Sequence, residues 1–166
     1  MKNILLLSLF LAVASLAYGF NYESYKPYNL SDLLAFEKSS QKSNAEEGMQ
    51  ADVTMAFNAR LDKFQLQVTY GDGYRPIRGA KRTFVDGICK AFGKDFGFDK
   101  SYCDIYQKEI KIIYEDHAYW FPVQEQLVGY FKDEMKKGES MYIYVIYAGS
   151  AEGELVVLVS EFDRIE

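Results

Sequence analysis

MYIYVIYAGSAEGELVVLVSEF, residues 141–162, decides the fold. Two apolar runs flank Ala148-Gly149-Ser150-Ala151-Glu152-Gly153, and within each run adjacent positions are apolar, so neither face of either strand is left for water. Strands of that kind lie inside a domain, covered on both sides. The glycine-bearing joint between them predicts a reversal of the chain. The remaining sequence must then supply the covering layers.

Immediately upstream, Val123, Leu127, Phe131 and Met135 step by four behind Pro122, with Glu125 near the start and Lys136, Lys137 and Gly138 at the end. That spacing and polarity predict a helix with Pro122 as its first residue. Before it, IKIIYEDHAYWF, residues 110–121, sets Ile110, Ile112 and Tyr114 on one face, turns at Glu115-Asp116 and returns through Tyr119 to Phe121. A further helix is expected behind Thr83, through Phe84, Ile88 and Phe92. Phe64, Leu66, Val68 and Tyr70 alternate with Gln65, Gln67 and Thr69, and Val53, Met55, Phe57 and Ala59 make a second period-two run. These two runs are expected to pair as an antiparallel hairpin around Ala59 to Lys63. Gly71-Asp72-Gly73 is expected to end the later strand, and residues 70–82 to form an exposed loop.

The expected fold class is therefore α+β: an antiparallel sheet or small barrel, ordered strand-strand-helix-strand pair-helix-strand-strand, with two main helices. With the first helix treated as an insertion, three strands, a helix and two strands remain. Small Greek-key barrels of the oligonucleotide-binding type share that layout. An open antiparallel sheet with two helices on one face fits it equally well.

Residues 1–19 combine Lys2, an apolar stretch from Ile4 to Ala17 and small residues at Ala17 and Gly19, the layout of a cleaved signal peptide. Cleavage after Gly19 would leave 147 of the 166 residues, enough for one domain, exported to the periplasm or secreted. No transmembrane span is expected in that mature chain. Residues 20–50 are expected to be a poorly structured N-terminal segment, with a short helix capped at Asn29-Leu30-Ser31-Asp32 through Leu33, Leu34 and Phe36 and a loop over the polar run from Lys38 to Gly48, and 51–166 a single globular α+β domain.

In an oxidising compartment the only two cysteines, Cys89 and Cys103, read as a disulfide. A zinc site made with His117 is disfavoured, because the three candidate ligands lie at intervals of 14 with no closely spaced pair. No metal or cofactor is expected. His117 is the only histidine, which removes HExxH, and no GxSxG elbow is present. Among 24 acidic residues, Glu109, Glu125, Glu134 and Glu161 have no spacing that singles out a catalytic pair. Trp120 reads as a core anchor before it reads as a stacking platform.

The charge contrast is more specific. Arg75, Arg78, Lys81 and Arg82 put four cations in eight residues, and the tail from Glu152 carries five acids and one arginine. These four cations are the candidate anion- or partner-binding residues, unless acids of the same chain engage them. With 19 Lys+Arg against 24 Asp+Glu, general nucleic-acid binding is not expected. The reading is an exported, disulfide-bonded, non-catalytic interaction module for an envelope or extracellular protein or an anionic ligand. The alternative is a small secreted hydrolase using His117 and a nearby acid.

Overall fold

The computed structural model describes residues 20–46, 55–92 and 104–165. After a short 3-10 turn at Tyr22–Ser24, the elements are β1 (Lys26–Tyr28), α1 (Leu30–Glu46), β2 (Met55–Phe57), β3 (Lys63–Pro76), α2 (Gly79–Phe92), β4 (Lys108–Tyr114), β5 (His117–Val123), α3 (Glu125–Glu134), β6 (Ser140–Ala151) and β7 (Glu154–Arg164). The sheet order is β1-β3-β4-β5-β7-β6-β2, and β3 also pairs with β6. Strands β3, β4, β5, β7 and β6 therefore close into a ring, with β1 and β2 attached outside it.

The quoted stretch forms the antiparallel pair β6–β7. Its two apolar faces enter two different cores. Met141, Ile143, Val145, Tyr147, Leu155, Val157 and Val159 line the ring's interior, whereas Ile146, Ala148, Val156 and Leu158 pack against Phe84, Val85 and Ile88 of α2. Two-residue reversals at Glu115-Asp116 and Glu152-Gly153 have positive φ at both positions, as tight hairpins between twisted strands require.

The ring closes because β3 is long and bent. Its first half pairs with β6 and its second half with β4. Between them, Gly71-Asp72-Gly73 forms a bulge, with Asp72 at φ 50°. A Cβ on Gly71 would lie 2.8 Å from the Lys111 carbonyl oxygen, so the strand approaches β4 this closely only with glycine there. Phe131 of α3 stacks on Tyr70 and Phe162. Toward the other end of β6, α1 contributes Leu30 and Leu33 to the core. The Tyr147 hydroxyl donates to the buried Glu37 of α1. Burial and the adjacent carboxylate push the Tyr147 phenol well up, which keeps it a donor.

Several expectations are corrected here. The sheet is mixed rather than antiparallel, because β1–β3 and β5–β7 are parallel. Strand outweighs helix among the described residues, which hold three helices rather than two, and the ring of strands is similar to an oligonucleotide-binding-type barrel. Residues 20–46 carry β1 and the 17-residue α1, longer than the short helix expected there; apolar Leu30 and Leu33 commit its first turn to the core, and it runs on into the polar stretch as far as Glu46. The expected hairpin of residues 51–70 does not form: β2 pairs with β6 instead. Pro122 lies inside β5, one residue before its end, and α3 starts three residues later. The expected loop over 70–82 is largely strand β3, followed by α2 from Gly79.

The expected signal peptide lies outside the described residues, as do Cys103 and the side chain of Cys89. Among the described residues, no helix is long and apolar enough to cross a membrane.

Candidate functional site

The outer face of β3, β4 and β5 gathers most of the chemistry that α2 and the β6–β7 turn leave uncovered. Arg75 and Glu109 stand opposite one another in the β3–β4 register. The Arg75 Nε donates to Glu109 at 2.6 Å. Lys81, from the first turn of α2, donates to the other Glu109 oxygen at 2.9 Å and to the Trp120 carbonyl at 2.9 Å. It also pairs with Glu154 of β7 at 2.6 Å. One ammonium therefore ties β4, β5 and β7 together.

Trp120 faces outward because its neighbours Tyr119 and Phe121 take the inward positions of β5. A Cβ on Gly73 would meet the far edge of the indole at 3.3 Å, so the missing side chain lets the ring lie across β4 toward β3. The Arg75 guanidinium sits 4.4 Å from the indole centroid. Lys111, paired in register with Trp120, adds a further cation beside this stack.

Of the four cations singled out in the sequence, Arg75 and Lys81 join this cluster. Arg82 turns away, to Asp86 and the Tyr106 carbonyl. Arg78 is exposed and has no acidic partner among the described residues. The cluster is therefore part strut and part open surface. Glu109, one of four undistinguished carboxylates in the sequence, is only 2 % exposed and lies at its centre. Trp120 is neither a core anchor nor fully open: it is half-buried. His117 opens β5 as an exposed residue, and its Nδ1–H donates to the Glu115 carbonyl at 2.7 Å. No metal-binding group of three His, Cys, Asp or Glu side chains is found among the described residues.

Lys81 holds the Glu154 carboxyl below its ordinary range, mainly through their hydrogen bond, against the opposing effect of burial. A lowered folded-state pKa means stability that is present above the unfolded value and lost as pH falls through the folded one. Glu154→Gln should lower the melting temperature near neutral pH. The gap to the parent protein should stay full above pH 4.5 and close as the pH falls below it. A gap independent of pH in thermal melts would show that Glu154 acts by packing rather than charge.

No family model matches the chain, and no curated protein does. Among solved structures, it is similar to a mitochondrial single-stranded DNA-binding protein from S. cerevisiae, Rim1, with 11 % identity and a TM-score of 0.35, over 68 % of this chain and 97 % of that one. The expectation of an exported, disulfide-bonded interaction module without nucleic-acid affinity finds no support in these comparisons. That solved structure is described as a single-stranded DNA-binding protein, and the expected signal peptide and Cys89–Cys103 disulfide fall outside the described residues.

Proposed function

We propose that this barrel binds single-stranded nucleic acid across the outer face of β4 and β5. The observation that carries the reading is the Trp120–Arg75 stack, laid over a glycine-cleared strand and held by Glu109. Arginine planes and aromatic rings are the surfaces on which unpaired bases stack. One face of the indole is against the sheet, so a base would lie on the outer plane of the guanidinium or on the exposed indole edge. Lys111 and Arg78 flank the stack at positions suited to backbone phosphates. The chain's acidic balance does not oppose this, because the phosphate-facing field is local and screened over about 8–10 Å at physiological salt.

The chain has one tryptophan, so fluorescence excited beyond the tyrosine absorption band reports on this face. A 12-nucleotide oligothymidine should quench it and bind more tightly than a duplex of equal length. Trp120→Ala, followed by the anisotropy of a labelled strand, should weaken binding roughly ten- to hundredfold, as expected for a lost stacking contact of about 1–3 kcal/mol. Unquenched fluorescence, or equal affinity for the duplex, would refute the reading.

A further inference from the structure

The ring has one weak seam. Strands β5 and β7 pair at a single position, Val123 with Val159, and no strand joins β5 to β7 over residues 118–121 among the described residues. A cavity of about 390 Å³ opens there. Four consecutive residues of β5, Ala118 to Phe121, line it together with Gly153 to Leu155 at the start of β7. Consecutive lining means that the cavity looks onto strand edges, since a strand's face would present only alternate residues.

The direction of the backbone groups follows from two bonds. The Trp120 carbonyl accepts from Lys81, and the Gln124 N–H donates to the Val159 carbonyl at 3.3 Å. The even-numbered residues from Ala118 to Gln124 therefore aim their backbone groups away from β4 and into the seam. Pro122, with no N–H to offer, occupies one such position, as prolines at open edges do. That leaves the N–H of Trp120 and both groups of Ala118 pointing into the cavity.

Side chains complete the site. Leu34 of α1, Tyr119, Phe121 and Leu155 make an apolar wall. Lys38 and Arg75 stand at the mouth, while the one lining carboxylate, Glu154, is already neutralised by Lys81. Lys38 is exposed and has no acidic partner among the described residues. In a chain of net charge −5, this mouth is locally positive.

We propose that the β5–β7 seam is a second binding site, one that takes an extended peptide ending in an apolar residue with a free carboxylate. The peptide adds a strand to the β5 edge at Ala118 and Trp120, sinks its last side chain among Leu34, Tyr119, Phe121 and Leu155, and sets its carboxylate against Lys38 and Arg75. Strand addition to an open edge supplies affinity and the pocket supplies selectivity. A small apolar acid would use the wall and the cations but not the strand edge.

The probe is a fluorescent hexapeptide of alternating threonine and valine ending in leucine, compared with its C-terminal amide. The free acid should bind at least tenfold more tightly. Lys38→Ala should reduce that preference to less than threefold. Leu34→Phe, which fills the cavity, should abolish peptide binding while leaving the affinity for a labelled oligothymidine, read by anisotropy, unchanged, because Leu34 is no part of the Trp120–Arg75 stack; the two proposals therefore fail separately. Amide exchange at Ala118 and Trp120 should slow when peptide is added. Equal affinity for acid and amide, displacement of the peptide by dodecanoate without protection of those amides, or no binding at all would each overturn the proposal.

Discussion

Lys81→Met should be among the most damaging single changes at the surface-facing side of this barrel, lowering stability by about 3 kcal/mol, the lower end of what breaking a buried ion pair costs. Lys81 is only 8 % exposed, and Glu109 beneath it 2 %. Methionine keeps the length and the apolar stem but removes three donors at once: those to Glu109, to the Trp120 carbonyl and to Glu154. Glu109 keeps Arg75 alone, and the Trp120 carbonyl at the seam loses its partner. Since β5 and β7 share one register pair, no ladder of hydrogen bonds compensates. For a chain of this size the loss corresponds to a drop of roughly 6–12 °C in melting temperature. Because the pair's attraction barely repays its desolvation, the double variant Lys81→Met, Glu109→Leu should recover much of the loss. Denaturant titration of the parent and the two variants checks this. A single-variant loss below about 1 kcal/mol would mean that water reaches Glu109 and that the ammonium is not a strut.

The same cluster explains which parts of the molecule were legible in the sequence. Period-two runs in β3 and β4, and the doubly apolar β6 and β7, announce themselves because side-chain periodicity is local. The reversal at Glu115-Asp116 was readable for the same reason, whereas the one at Glu152-Gly153 was placed only within residues 148–153. Ring closure was not, since it depends on β3 leaving β6 for β4, and the device that permits this, Gly71-Asp72-Gly73, has the composition of a turn. Only the start of helix α1 was legible, through Leu33, Leu34 and Phe36; its extension to Glu46 was masked by the polar run from Lys38, which has the composition of a loop. Of the site, the cations were visible as a run, but their fates diverged by position in the fold: Arg75 on a strand face, Lys81 and Arg82 on different sides of α2. Glu109 carried no local signal at all. Its role arises from a register pairing with Arg75, 34 residues earlier in the chain.

Gly149→Ala should be comparably severe, at roughly 3–4 kcal/mol, although it adds one methyl group. In the sequence Gly149 belongs to what reads as a turn between two apolar runs. In the structure β6 continues through it to Ala151, and only Glu152-Gly153 reverses the chain. Gly149 marks a shift in the β6–β7 register, and its φ of +129° lies in a region that residues with a Cβ rarely enter, at a cost on the order of 1–3 kcal/mol. Sterics add a second penalty. A Cβ there would lie 1.9 Å from the Ala56 carbonyl oxygen of β2, a backbone atom that cannot step aside as a flexible side chain would. Among the described residues, strand β2 has three register pairs with β6, Met55, Ala56 and Phe57 against Ala151, Ser150 and Gly149. The cheapest relaxation is therefore to release β2 and, with it, the stack of Phe57 on the fully buried Phe84 of α2. Amide exchange should then show faster opening at Met55 to Phe57 and along α2, with β3 to β5 little changed. Binding of oligothymidine should persist, because Trp120, Arg75 and Lys111 lie on strands that this change does not touch. A variant that melts within 1 °C of the parent would mean that β6 refits its register without that glycine and that β2 is not held by the geometry described here.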